Sequence, residues 1–300
     1  MNKLIIIIFL IFNFVGCNVN NKSSEFLKPF KHSNKNSYIA TYLKAKYSIA
    51  KGDYYTTNKF LDRHLNEQEL LNLKFFSNLV SGNFRVADKL SNLLINPYRK
   101  NTLHYLPKYI LNIKDKKYED SLEIIDKNKF SLNFNELNYL IKLWLLNEGV
   151  KSKFILKTQY KKASIHELLI LENFHKAESL KKTAENIYKS SVLNNNDLLL
   201  LAGFYFRLGN FKIFNEIIKK RLPNQFDKDH IIDSFSLIDN IFNQKPTLHT
   251  ILSAALYNSA INNKNHNKKS YTLQKIMLEM SIFLCPEMDV AKYSLAELYY

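Results

Sequence analysis

The chain holds only two cysteines, Cys17 and Cys285, and they form no paired metal-binding spacing. Its six glycines are too few and too scattered for a phosphate loop or a dinucleotide fingerprint, and neither pattern is present. Eight histidines include no His-Glu-x-x-His. His166 and His175 stand nine residues apart, so they do not share one helical face as a ligand pair at i, i+4 would. No Gly-x-Ser-x-Gly nucleophile turn exists. The acids alternate with lysines at helix-surface spacing, which suits a solvated face rather than a general acid–base pair. A metal, a cofactor, a small-molecule substrate and an enzymatic role are therefore all unexpected. The single tryptophan, Trp144, lies in Leu143-Trp-Leu-Leu146 and reads as core.

No apolar run reaches the roughly 20 residues of a membrane span. The longest, Leu4–Phe14 after Lys3, has the length of a signal-peptide core. It ends in Phe14-Val15-Gly16-Cys17, which resembles the lipobox of bacterial lipoprotein signals, with Phe14 and Val15 where the family has an aliphatic and a small residue. The resemblance implies cleavage after Gly16 and lipidation of Cys17. The alternative is an uncleaved anchor with Cys17 incidental. Asn18 is not the aspartate that retains many such proteins at the inner membrane, so the resemblance implies an outer-membrane protein facing the periplasm. Residues 17–36 then form a polar tether. With Cys17 lipidated, Cys285 has no disulfide partner, and its neighbours Phe283, Leu284 and Pro286 suggest a buried thiol.

Charge is one-sided: 43 basic against 27 acidic residues, a formal +16. Lysines run through nearly every helical stretch, with pairs at Lys116-Lys117, Lys161-Lys162 and Lys268-Lys269. The excess reads as a solvated basic surface. No zinc-finger, RNA-binding or basic-zipper pattern accompanies it, and nucleic acid is not an expected partner.

What the chain does have is a period. Gly52, Gly82, Gly149 and Gly209 are 30, 67 and 60 residues apart, close to one, two and two copies of a unit just over thirty residues. Three open the same phrase: Gly52-Asp53-Tyr54, Gly82-Asn83-Phe84 and Gly209-Asn210-Phe211. Stretches between them carry apolar residues at helical spacing. Asn66-x-x-Glu69, Asn133-x-x-Glu136 and Ser164-x-x-Glu167 read as capping boxes, and each glycine suits the left-handed position that ends a helix. Weaker copies place turns at Lys116-Lys117 and near Ser179.

These residues resemble the tetratricopeptide repeat, a helix–turn–helix of 34 residues. The family has a small residue five positions after the turn glycine, where Thr57, Ala87, Ser121 and Ala184 fit and Phe154 and Phe214 do not. Ser281-Ile-Phe-Leu-Cys-Pro286 resembles the close of one repeat, and Leu295-Ala296-x-x-Tyr299 the first helix of the next. The resemblance implies an all-α, right-handed superhelical solenoid of antiparallel helix pairs over 37–221 and 247–300. An extra helix is expected at 222–246, from Ile231, Ile232, Phe235, Ile238 and Ile241, and a polar loop at 262–269. A chain stopping at Tyr300 within a first helix is expected to be a piece of a longer protein, or to be covered by another chain.

In that family first helices line a concave groove, so the resemblance implies an inner surface carrying Tyr42, Lys46, Asn72, Phe76, Tyr139, Asn147, His166, Asn173, Lys176, Phe206 and Arg207. Aromatic, amide and cationic groups suit an extended peptide. The expected partner is protein, with the membrane reached through the lipid on Cys17 in the bacterial cell envelope. The alternatives are the N-terminal repeat region of a longer envelope enzyme or assembly factor whose functional domain lies beyond residue 300, and a membrane-surface binder.

Overall fold

The computed structural model describes residues 38–62, 67–94, 102–128, 134–150, 164–189, 193–221, 245–262 and 268–299. The expected signal and tether, the expected helix at 222–246 apart from its last two residues, the centre of the expected 262–269 loop, and Asn66, Asn133 and Phe154 lie outside them. Among the described residues there are fourteen α-helices and no strand, so the all-α expectation holds. The chain divides into two compact units, Met1–Leu65 and Asn66–Tyr300.

In the first unit α1 (Tyr38–Ala50) packs on α2 (Tyr54–Leu61). The second unit opens with the pairs α3 (Gln68–Val80) and α4 (Phe84–Leu93), then α5 (Leu106–Lys114) and α6 (Tyr118–Asn128). Next come α7 (Asn135–Asn147), α8 (Ile165–Phe174) paired with α9 (Lys181–Lys189), and α10 (Asn195–Arg207) paired with α11 (Phe211–Glu216). Three more helices close it: α12 (Leu248–Asn262), α13 (Lys268–Leu284) and α14 (Asp289–Glu297).

Five helices end in the same way. Gly52, Gly82, Gly149 and Gly209 have φ of +73 to +75°, and Lys116 takes the fifth such position at φ 60°. In each, the amide after the left-handed residue reaches five residues back: Asp53 to Ser48, Asn83 to Asn78, Lys117 to Asn112, Val150 to Leu145 and Asn210 to Tyr205, at 2.7 to 3.0 Å. The left-handed residue's own amide bonds three back, as Gly209 does to Phe206 at 2.9 Å. This doubly bonded terminus satisfies carbonyls a helix end otherwise leaves open, and it reverses the chain sharply. The expected turn near Ser179 is built differently. α8 stops at Phe174, and a 3-10 turn over Ala177–Leu180 leads into α9.

Caps then restart the chain as helix. The side chains of Asp53, Asn194 and Asn210 accept from the amides of Thr56, Asp197 and Ile213. Of the three expected capping boxes, Ser164 accepts from the Glu167 amide at 3.2 Å. Second helices sit close behind the first because Thr57, Ala87, Ser121 and Ala184 are small and wholly buried at 0 % exposure. The hydroxyls of Thr57 and Ser121 return to carbonyls of their own helix, at Asp53 and Tyr118, so burial leaves no donor stranded.

Within the second unit three second helices also touch the next first helix: α4 on α5, α6 on α7, α9 on α10. The α12–α13 pair then returns along the first helices, α12 against α7 and α8 and α13 against α3 and α5. α12 gathers no polar face, its polar residues being spread among apolar ones, and Ile251 through Leu256 are consecutively buried. A helix with no polar face belongs in an interior. Ser253 and Ser281 join α12 to α13, each hydroxyl donating to the other's carbonyl at 2.8 and 2.9 Å. Along α7 and α8, the face the repeat pattern leads one to expect open carries α12.

Lys116→Gly should stabilise by about 0.5–1 kcal/mol, since glycine removes the cost of a left-handed L-residue and loses part of the gain to chain entropy. Gly209→Ala should cost about 1–2 kcal/mol from backbone strain alone, its added methyl meeting nothing within 4 Å. Gly82→Ala should cost more, because its methyl would collide with Glu279 Oε2. Denaturant midpoints of the three variants check the order.

Candidate functional site

Three first helices bring acids in their opening turns to one place: Glu136 on α7, Glu167 on α8 and Asp197 on α10. The positive end of a helix favours acids there. His166, buried at 4 % exposure, puts Nδ1 2.9 Å from Glu136 Oε1. Its Nε2 faces the Asn258 amide of α12 at 3.4 Å. Asn258 Nδ2 also donates to Asp197 Oδ1 at 2.7 Å, and its oxygen accepts from Asn196 at 2.7 Å. A carboxylate only accepts, so Nδ1 donates its proton to Glu136. The chain Glu136–His166–Asn258–Asp197 thus ties α7, α8 and α10 to α12. Burial pushes the Asp197 carboxyl up, against the pull of His166 and the Asn194 and Asn258 bonds. Burial likewise raises Glu167, opposed by the Tyr139 hydroxyl and the Ser164 amide.

One helical length away, Arg207 of α10 grips Glu172 of α8 in a two-pronged pair, Nε to Oε1 at 2.8 Å and Nη2 to Oε2 at 2.6 Å. Both side chains are nearly dry, at 8 % and 3 % exposure, and the planar fork matches the carboxylate. Arg207 borders a cavity of about 10 Å³ with Leu169, Pro246 and Ile251, room for at most about one water. Asn173 donates to Pro246 O at 2.9 Å, holding the entry to α12, and Thr247 caps that helix through the Thr250 amide. At α5, His249 donates from Nε2 to Ile113 O at 2.8 Å and Lys114 donates to Leu284 O at 3.0 Å. Burial holds His249 below the usual histidine range.

The expected inner-surface residues therefore separate. His166, Asn173 and Arg207 converge on α12 and its entry, and Tyr139 bonds Glu167 beside them. Asn147 bonds Leu143 O and His175, and Asn72 meets His104 at 3.1 Å. Phe206 packs against Phe211 and Phe214 at 5.6 and 5.3 Å between centroids. Phe76 is half-buried and Lys176 exposed. Tyr42 and Lys46 belong to the first unit, with the Lys46 ammonium 5.7 Å from the Tyr42 ring centroid. Trp144 packs edge-on against Phe174 at 5.0 Å, and the Cys285 thiol is buried and pushed up by that burial first and by Glu287.

Periodicity alone missed Glu172, Asn258 and the pair Lys275 and Glu279. A signal existed for two of them: Glu172 follows Leu168-Leu-Ile-Leu171, and Glu279 follows Ile276-Met-Leu278, acids set in apolar runs. Burial raises Glu279 to about 7 against the pull of Lys275, and lowers Lys275 to about 8. The Lys275 ammonium lies 3.3 Å from the Tyr299 ring centroid, which replaces part of its lost hydration.

Arg207→Met should cost about 3–5 kcal/mol, because Glu172 stays buried without its partner, and adding Glu172→Leu should recover most of it. Urea denaturation of single and double variants reads the difference. Glu279 binds its proton more tightly folded than unfolded, where the value is 4.5. Its contribution is fully present below pH 4.5 and is lost as pH rises through about 7. Glu279→Gln should match the parent at low pH and exceed it near pH 8 by about 1–2 kcal/mol, less than the whole shift because Lys275 loses a counter-charge.

No protein-family model, no curated protein and no solved structure matches the chain.

Proposed function

We propose that the chain is a non-catalytic tetratricopeptide-type scaffold lipoprotein of the bacterial cell envelope, anchored through Cys17 and binding protein partners. The observation that carries the reading is the turn shared by Gly52, Gly82, Lys116, Gly149 and Gly209, with its common bonding. A buried small residue follows five positions later at Thr57, Ala87 and Ser121, each at 0 % exposure. Arrays of helix pairs built this way present extended surfaces to other proteins. The lipobox-like Gly16-Cys17 supports the anchor. No helix among the described residues is long and apolar enough to cross a membrane.

The covered faces of α7 and α8 redirect the reading within the array. His166, Asn173 and Arg207 bond within the second unit, so partner recognition there falls to the exposed Asn72 and Lys176. A peptide lying on them would bond through amide and ammonium groups rather than sink into a deep channel.

Photo-crosslinking in cells from positions 72 and 176, followed by mass spectrometry, should recover a reproducible envelope protein. Crosslinks that scatter without a recurring neighbour would count against the scaffold. Cys17→Ala should move the chain out of the membrane fraction or block its maturation, and unchanged fractionation would remove the lipoprotein reading.

A further inference from the structure

The first unit carries a helix turned inside out. The face of α1 that is buried consists of Ala40, Thr41, Ala45 and Ser48, small or hydroxylated residues. Its exposed face carries Ile39, Leu43 and Tyr47 at successive i, i+4 positions, 67, 38 and 42 % exposed. Helices of water-soluble units place these classes the other way round. The stripe needs a partner medium, since large apolar groups in a continuous exposed row mark contact surfaces.

Charge points to what that medium is. The first turn of α1 holds no acid, and from Phe26 to Gly52 the sequence has six lysines and neither Asp nor Glu. Lys46 and Lys51 stand over the rings of Tyr42 and Tyr47, 5.7 and 5.3 Å from their centroids. An aliphatic row rimmed by tyrosines and lysines is the composition of a helix lying in a headgroup layer, with rings at the polar boundary and ammonium groups on phosphates. The row is one helix face wide, which suits a medium that closes around it. Twenty residues separate Cys17 from Tyr38 in the sequence.

We propose that the exposed face of α1 is a membrane contact that lies on an anionic phospholipid surface, with Ile39, Leu43 and Tyr47 at the headgroup–acyl boundary and Lys46 and Lys51 on phosphate groups. The proposal takes its location from the envelope reading, but its chemistry is independent of lipid on Cys17. α1 orients the first unit against the bilayer, and the acyl chains supply retention.

The test uses the full chain with Cys17→Ala, so that acylation cannot contribute. A polarity-sensitive fluorophore is placed by Leu43→Cys, Cys285 being buried and out of the label's reach. Vesicles of phosphatidylglycerol mixed with phosphatidylcholine should shift its emission to the blue, and vesicles of phosphatidylcholine alone should not. High salt should reverse the shift. Lys46→Glu with Lys51→Glu should weaken binding by about tenfold or more, and Ile39→Asp should weaken it with the far-ultraviolet helical signal unchanged. A label at Tyr293→Cys, 70 % exposed on α14, should stay unshifted. The proposal is overturned by no shift at position 43, by an equal shift on neutral vesicles, or by an equal shift at 293. A shift that grows with protein concentration in the absence of lipid would assign the face to a second copy of the chain instead. Loss of the Cys17 anchor reading, seen by fractionation, leaves this result standing on its own.

Discussion

A residue in left-handed conformation at the end of a helix is a small constraint with a long reach. It costs an L-residue about 1–2 kcal/mol and glycine almost nothing, and it turns the chain back within a few residues. Gly52, Gly82, Gly149 and Gly209 meet it, and Lys116 bears the cost where glycine is absent. Once the chain is reversed, the distance between paired helices is set by what faces the first helix. Thr57, Ala87 and Ser121 keep that distance short, each buried at a fixed offset from its turn. At those three turns local backbone chemistry and packing select the same hairpin, agreement of the kind that makes a fold specific.

Hairpins of this kind leave the first helices with a second face to satisfy. In the second unit α12 and α13 meet that need. α12 has no polar face to give to water, and it lies against α7 and α8, whose buried residues are mostly apolar. Polar groups then decide how it lies. Asn258 reaches His166 and Asp197 near one end, and His249 reaches Ile113 near the other. Each is bonded, so the cost of burying it is offset, and a shift of α12 by one residue would leave several of them unsatisfied. Such pairs contribute register more than net stability, the Glu172–Arg207 fork included.

The all-α class and most of the turns were legible because they rest on local rules: helical spacing, glycine at a left-handed terminus, a capping side chain; the close-packed offset came from the repeat resemblance. Ser164 and Glu167 form the expected box, and Lys116 occupies the expected fifth turn. The turn near Ser179 was not readable in detail, since a 3-10 segment does what no glycine marks. The inner-surface residues depended on something sequence does not carry. Whether His166 or Arg207 faces a partner or the fold is decided by α12, which lies 92 positions from His166 in the pair it forms with Asn258. Periodicity places a residue on a face and says nothing of what returns to cover it. Similarly, helical spacing puts Ile39, Leu43 and Tyr47 on one face of α1, and only the packing shows that Ala45 and Ser48 take the buried side instead.

Hydrogen exchange resolved by residue bears most directly on the claim that the returning pair is integral to the second unit. Amides of Ile251 to Leu256 should exchange only through complete unfolding of the unit, with protection well above that of α14. Exchange of that stretch by a local opening, at rates like those of α14, would contradict it. The inner faces of α7 and α8 would then be open to a partner after all.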